Sequence, residues 1–221
     1  FYGELAHSAD ARDFRDERAE PGYYACRDGA SGADCETTVT PRVALHRITF
    51  PKAGGRVSID FSNDGLYDDG NLSRSPAGAA RLKLLSDGEA LAEVTLHRLT
   101  LWFYLKAEGL ESPLRLWVDD EETGAGALSL EPGRRFGVAA ACGPQVRLTL
   151  GISPKSAETA RQDVLGNPLS FDQAREQAKA AWNEALSRIE AEFDNPVDSE
   201  IFYSNFYHTL IKPADWSGES F

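Results

Sequence analysis

Acids dominate the reactive side chains of this sequence, with 35 Asp and Glu against 23 Lys and Arg. Two carboxylates, one as acid and one as base, are what cleavage of a glycosidic bond requires, and their separation sets the stereochemical outcome. Spacing alone marks out no such pair here. Asp119-Asp-Glu-Glu122 falls between two strand patterns and precedes Thr-Gly, the setting of a solvated turn. Asp64, Asp68 and Asp69 make an oxygen-rich loop, but they lack the alternate-residue ligands and closing Glu of an EF-hand. The histidines are His7, His46, His97 and His208. His46 and His97 each precede Arg in a strand pattern, where a structural hydrogen bonder is the ordinary reading, and His208 has no second ligand three or four residues away. No Gly-x-Ser-x-Gly elbow and no Gly-rich phosphate loop occurs.

Three cysteines offer little for a metal, since no Cys-x-x-Cys is present. Cys26 and Cys35 bracket a turn-rich loop that a disulfide could close, or they are two buried thiols; Cys142 is left over. Asn71-Leu-Ser73 matches a glycosylation sequon. Tryptophan faces stack on sugars, so the four of them matter. Trp102 and Trp117 lie in aliphatic strands and Trp182 on a helical stripe, all three reading as core. Trp216, in the loop after the last helix, is the one placed to line a substrate groove.

The elements that must hold these residues change character once along the 221-residue chain. From Tyr23 to Ser153 the pattern is of short strands: Thr37–Phe50 with a bulge or edge at Pro41, then 56–61, 80–85, 92–96, 99–105, 114–118, 127–130, 135–140 and 146–152. Lys52-Ala-Gly-Gly55, Ser86-Asp-Gly88, Glu131-Pro-Gly133 and Gly143-Pro144 read as the turns between them. Alternation with period two at roughly ten-residue spacing, with no helix between, predicts an antiparallel β-sandwich. After Ser153 the pattern becomes helical. Ser156 is placed to cap a first helix. A second opens at Leu169-Ser-Phe-Asp172 and carries Ala178, Ala181, Trp182, Ala185, Leu186 and Ile189 on one stripe, ending near Phe193. A third runs from about Asp198 to Ile211 and stops before Pro213.

Bulk properties narrow the partners. Hydrophobic residues at 42% permit a large core, and a net charge of −12 disfavours nucleic acid and anionic membranes while leaving a neutral glycan open. No apolar run reaches the ~18 residues of a membrane span. The chain contains no Met and starts at Phe1, with no signal peptide in view, and it ends at Ser217-Gly-Glu-Ser-Phe221 directly after a helical pattern. Both ends read as cuts.

Three short motifs then stand out in order: Glu17, Ala19 and Pro21-Gly-Tyr-Tyr24; Glu36, Thr38, Thr40 and Arg42; and His46-Arg47, Thr49-Phe-Pro51, with Ile48 between. Further on come Gly151-Ile-Ser153 with Ser156-Ala-Glu158 and Ala160, then Ala181-Trp-Asn-Glu-Ala-Leu-Ser-Arg-Ile189, then Phe202-Tyr-Ser-Asn-Phe-Tyr-His208 before Pro213. In this order they resemble glycoside hydrolase family 92, the calcium-dependent, inverting exo-α-mannosidases. Ile48 stands where that family usually has Tyr. The resemblance implies a β-sandwich over 1–153, a helical linker over 154–195 and the start of an (α/α)6 catalytic barrel over 196–221. It also implies Ca2+ as cofactor, with the metal ligands and the catalytic acid and base mainly outside this chain, so no catalytic residue is assigned here. The implied substrate is a mannose-containing glycan, and the implied location is secreted, periplasmic or at a bacterial cell surface. The alternative is a sandwich that binds glycans or a partner without catalysis.

Overall fold

A computed structural model describes residues 13–52, 54–62, 77–96 and 99–211. The chain order is β1 (Phe14–Glu20), β2 (Tyr23–Asp28), β3 (Asp34–Val39), β4 (Val43–Thr49), β5 (Gly55–Asp60), β6 (Ala77–Ser86), β7 (Glu89–Leu96) and β8 (Leu99–Leu110). Next come β9 (Arg115–Val118), β10 (Glu121–Glu122), β11 (Ala127–Leu130) and β12 (Phe136–Ser153), followed by α1 (Ala157–Leu165), α2 (Phe171–Leu186) and α3 (Pro196–Leu210). Among the described residues every strand pairing is antiparallel. The mainly-β antiparallel architecture expected from the alternating pattern is present, with helices, among the described residues, only after it.

One strand belongs to both layers. The C-terminal half of β12 lies between β4 and β8 in the long path β1-β2-β3-β4-β12-β8-β7-β6-β11. Its N-terminal half pairs with β5 and β9, and β9 with β10. Between the halves the register on β8 jumps from Cys142↔Leu110 to Arg147↔Glu108. Gly143-Pro144 therefore bends one 18-residue strand instead of separating two. Proline suits a bulge because it has no N–H to leave unpaired, and its carbonyl accepts from the Phe50 N–H at 2.8 Å.

Inward residues of both layers share one core. Val57, Leu116, Val138 and Ala140 come from the short layer; Ile48, Leu82, Val94, Phe103, Leu105 and Leu148 come from the long one. The other face of the long sheet is covered by α1 and α2, whose Ala160, Val164, Phe171 and Ala174 pack with Tyr23, Val43, Leu45 and Tyr104. The long sheet is thus clad on both sides over β2, β4 and β8.

Three local readings change. Pro41 sits in the β3–β4 turn and not within a strand, with Thr40 and Val43 closing the hairpin by Thr40 N–H to Val43 C=O at 2.8 Å. The second helix ends at Leu186 and not near Phe193. Tyr203 of α3 donates its hydroxyl to the Ile189 carbonyl at 3.2 Å and accepts from the Ala191 N–H at 3.3 Å, holding that segment out of the helix. The third helix begins two residues early, at Pro196, because Asn195 caps it through Val197 N–H and proline needs no partner at the first position. Ser156 caps α1 as expected, and Ser170 with Gln173 forms a capping box on α2.

Candidate functional site at the sheet–helix seam

The motif residues converge where α2 meets β2, β3 and β4. Register places Glu36 of β3 directly opposite Arg47 of β4. Their side chains are each only about one-fifth exposed and form a two-pronged pair, Nε to Oε2 at 2.7 Å and Nη2 to Oε1 at 3.0 Å. Tyr23 of β2 donates its hydroxyl to Glu36 Oε1 at 2.9 Å. The Arg47 hydrogen bonds hold the Glu36 carboxyl below its ordinary range, against the opposing effect of burial. Burial first, then Glu36, pushes the Tyr23 phenol up.

Helix α2 docks onto this pair from above. Arg47 Nη1 donates to Asp172 Oδ1 at 3.0 Å, and the guanidinium lies 4.3 Å from the centre of the Phe171 ring. Arg175, one turn on, stacks 3.6 Å from the Tyr23 ring centre. Gly22 completes the socket. It turns the chain at φ +79°, its carbonyl accepts from the Thr38 hydroxyl at 2.8 Å, and a Cβ there would meet Ala178 Cβ at 2.8 Å and Trp182 at 3.2 Å. Phe171, Arg175, Ala178 and Trp182 recur at four- and three-residue steps, so a single helix face reads the socket.

A second socket seats α1. At Gly151 a Cβ would lie 2.3 Å from the Ala160 carbonyl, so β12 accepts the helix only at a glycine. The buried Ser153 hydroxyl accepts the Lys155 and Ser156 N–H groups at 3.0 and 3.4 Å and turns the chain into the helix. The motifs are therefore seating devices, built of hydrogen bonds and close approach.

His46 has the structural role expected of it. It is half-buried, its Nδ1 lies 2.9 Å from the Thr37 hydroxyl, and burial pushes its pKa down to about 4. Of the acidic run, Asp119 and Asp120 have φ of 48° and 69°, the two-residue turn joining β9 to β10. They are paired and not merely solvated. Asp119 accepts from the Arg135 N–H at 2.9 Å and from Arg134 at 2.5 Å, Asp120 pairs with Arg135 at 2.8 Å, and Glu122 pairs with Arg56. Cys26 and Cys35 stand opposite one another on β2 and β3, buried and present as thiols, as is Cys142.

The tryptophans divide differently from expectation. Trp117 is fully buried. Trp182 is half-buried between Gly22 and Tyr207, whose ring centre is 4.9 Å away. Trp102 is also half-buried and lines a groove on the outer face of the long sheet. The missed signal is parity: Leu101, Phe103 and Leu105 take the core side, which leaves Trp102 with Thr100 on the other. Trp216, His7, His97, Asp64, Asp68, Asp69 and the Asn71 sequon lie outside the described residues. Among the described residues no three His, Cys, Asp or Glu side chains are grouped to hold a metal. No helix among them is long and apolar enough to cross a membrane.

Residues 156–220 match the model of the glycosyl hydrolase family 92 catalytic domain. A family GH92 α-mannosidase of Bacteroides thetaiotaomicron shares the fold with a TM-score of 0.72 at 19% identity, over 89% of this chain and 28% of that one. A family GH92 inverting mannosidase of the same organism does so with a TM-score of 0.76 at 17% identity, over 95% and 29%. A protein of Arthroderma benhamiae described as an uncharacterized secreted glycosidase is 23% identical over 92% of this chain and 29% of its own length. The resemblance to glycoside hydrolase family 92 is thereby shown, in the C-terminal segment by sequence and across the chain by fold. This chain spans less than a third of the length of each of these relatives.

Proposed function

We propose that this chain is the N-terminal part of an inverting exo-α-mannosidase that removes terminal α-linked mannose from glycans. Residues 1–153 form its β body, 154–195 its helical linker and 196–221 the start of its (α/α)6 catalytic domain. The observation that carries this is continuity: a segment matching the family's catalytic-domain model, 156–220, leaves directly from a β body of the same family's fold. In this reading the catalytic acid and base and the calcium ligands lie mainly in the barrel, and Trp216 lines the substrate groove beside it. The seam residues do no bond-breaking. Arg47, Glu36, Tyr23 and Gly22 fix where α2 sits, and α2 and α3 together orient whatever follows. The glycan substrate and an exported location agree with the names of the relatives and with the net charge of −12.

The test is the anomer first released. The protein carrying this chain, incubated with an α-linked mannobiose in calcium, is expected to yield β-mannose before mutarotation, observed by proton NMR, and to lose turnover on chelation. No release of mannose, or α-mannose appearing first, overturns the reading.

A further inference from the structure

A row of four side chains crosses the outer face of the long sheet far from the α2 seam. Register pairs Ser129 of β11 with Arg81 of β6, Arg81 with Glu93 of β7, and Glu93 with Trp102 of β8. Residues directly opposed on neighbouring strands share a face, so the four stand side by side across three strand spacings, about 14 Å. Lys83 begins the next row, and the Thr95 and Thr100 hydroxyls, 3.3 Å apart, flank Trp102 on the other side. The first turn of α1, at Ala157, closes one end. The result is a groove of about 380 Å³, within the usual range of small-ligand sites.

Its chemistry is uneven in an informative way. Trp102 gives a flat apolar face at one end of a row that is otherwise polar. Arg81 and Glu93 approach only to 3.6 Å, with side chains 72% and 38% exposed, so as an ion pair they stabilise the fold little. What they present instead is a planar fork of N–H donors beside a carboxylate acceptor, with a serine hydroxyl and an ammonium in reach. A flat ring face bordered by donors and acceptors matches a pyranose, which has a C–H face and a rim of hydroxyls. Glu93 offsets the charge of Arg81 beside it, and the net charge of −12 over the chain disfavours an anionic ligand.

We propose that this groove is a binding subsite for a neutral sugar residue of a glycan chain, with Trp102 as the stacking platform and Arg81 and Glu93 as the hydroxyl-binding pair. The choice of mannan as ligand rests on the function proposed above; the subsite itself rests on the row. It lies beyond β12 and β8 from the α2 socket. It would hold an outlying part of a long substrate or keep the protein on a polymer.

The experiment uses the protein carrying this chain and two probes, a soluble α-mannan and an aryl α-mannoside. Gel retardation by mannan is expected to weaken on the order of tenfold in Trp102→Ala and several-fold in Glu93→Gln. KM on mannan rises correspondingly, while kcat/KM on the aryl mannoside stays at the wild-type value. Glu93→Gln keeps size and removes only charge, so it tests the subsite if Trp102→Ala fails to fold. Wild-type retardation in both variants overturns the proposal, as does equal retardation by polygalacturonate. An equal loss on both probes also overturns it, since the groove would then be part of the catalytic cleft. A protein that is retarded by mannan through Trp102 but hydrolyses neither probe keeps the subsite and overturns the mannosidase reading.

Discussion

The long sheet and helix α3 are close in hydrophobic content and opposite in what they bury. Strands β6, β7 and β8 put Leu82, Ala92, Val94, Phe103 and Leu105 into a core where each is at most 8% exposed. α3 carries Ile201, Phe202, Tyr203, Phe206, Tyr207 and Leu210 and buries none of its residues. Val197, Ile201 and Ile211 are about half exposed. Its aromatic rings touch mainly one another and their neighbours on the helix side: Phe202 lies 5.4 Å from Phe193, and Tyr207 lies on Trp182. The β body buries both faces of its long sheet over β2, β4 and β8. An apolar helix that buries none of its residues against the described part of the chain is a surface made for covering, and the proposed catalytic domain is the segment that would do so. Between the two regions sits the seam, where polar groups carry the load because the helix must be held at one angle as well as buried.

The comparison breaks most sharply at Trp117. Trp117→Ala is expected to lower the stability of the β body by about 3–5 kcal/mol, read from urea unfolding, because the ring is fully buried and Gly137 has no Cβ to collapse into the gap. A change under about 1 kcal/mol would mean that the two layers are not a tight core. At the seam, Arg47→Ala leaves Glu36 partly buried without its guanidinium and is expected to cost about 2 kcal/mol, whereas Asp172→Ala, three-quarters exposed, costs less than about 1 kcal/mol. Equal effects would move the anchor from the Glu36 pair to the helix contact.

Acid sharpens the same boundary. His46 is neutral in the fold with a pKa of about 4, while the unfolded ring titrates near its ordinary 6.5. The unfolded chain takes up the proton first, so stability is full above pH 6.5 and falls as pH drops from 6.5 toward 4. Glu36, held low, adds a loss in the same direction below its ordinary 4.5. Urea midpoints measured from pH 7.5 to 4.5 are expected to decline, and His46→Gln to flatten the part above pH 5. The smallest effect belongs to α3. Ile201→Glu is expected to change the unfolding free energy of the β body by less than about 0.5 kcal/mol. A larger loss would show that α3 helps to hold the sheet together.

Much of the outline was legible from residue order. Period-two alternation gave the antiparallel strands, and Ser156 and Leu169-Ser-Phe-Asp172 gave the starts of the first two helices, because these signals are local and act within four residues. Errors gathered where a distant partner overrides the local signal. Gly143-Pro144 reads as a turn, but β4, β5, β8 and β9 all pair with the one strand that runs through it. Ile189 continues the stripe of α2, but Tyr203 captures its carbonyl.

The sequence by itself determined the strand-then-helix order, the starts of the first two helices and the motif set that resembles family 92, since each is written in neighbouring residues. Only the tertiary structure decided that β12 serves both layers, that Glu36 and Arg47 meet under Phe171 and Asp172, and that Trp102 faces outward beside Glu93 and Arg81. Those contacts join residues up to 125 positions apart. The strand residues among them depend on sheet register, and a shift of one residue would turn Glu36, Arg47, Arg81, Glu93 or Trp102 to the opposite face.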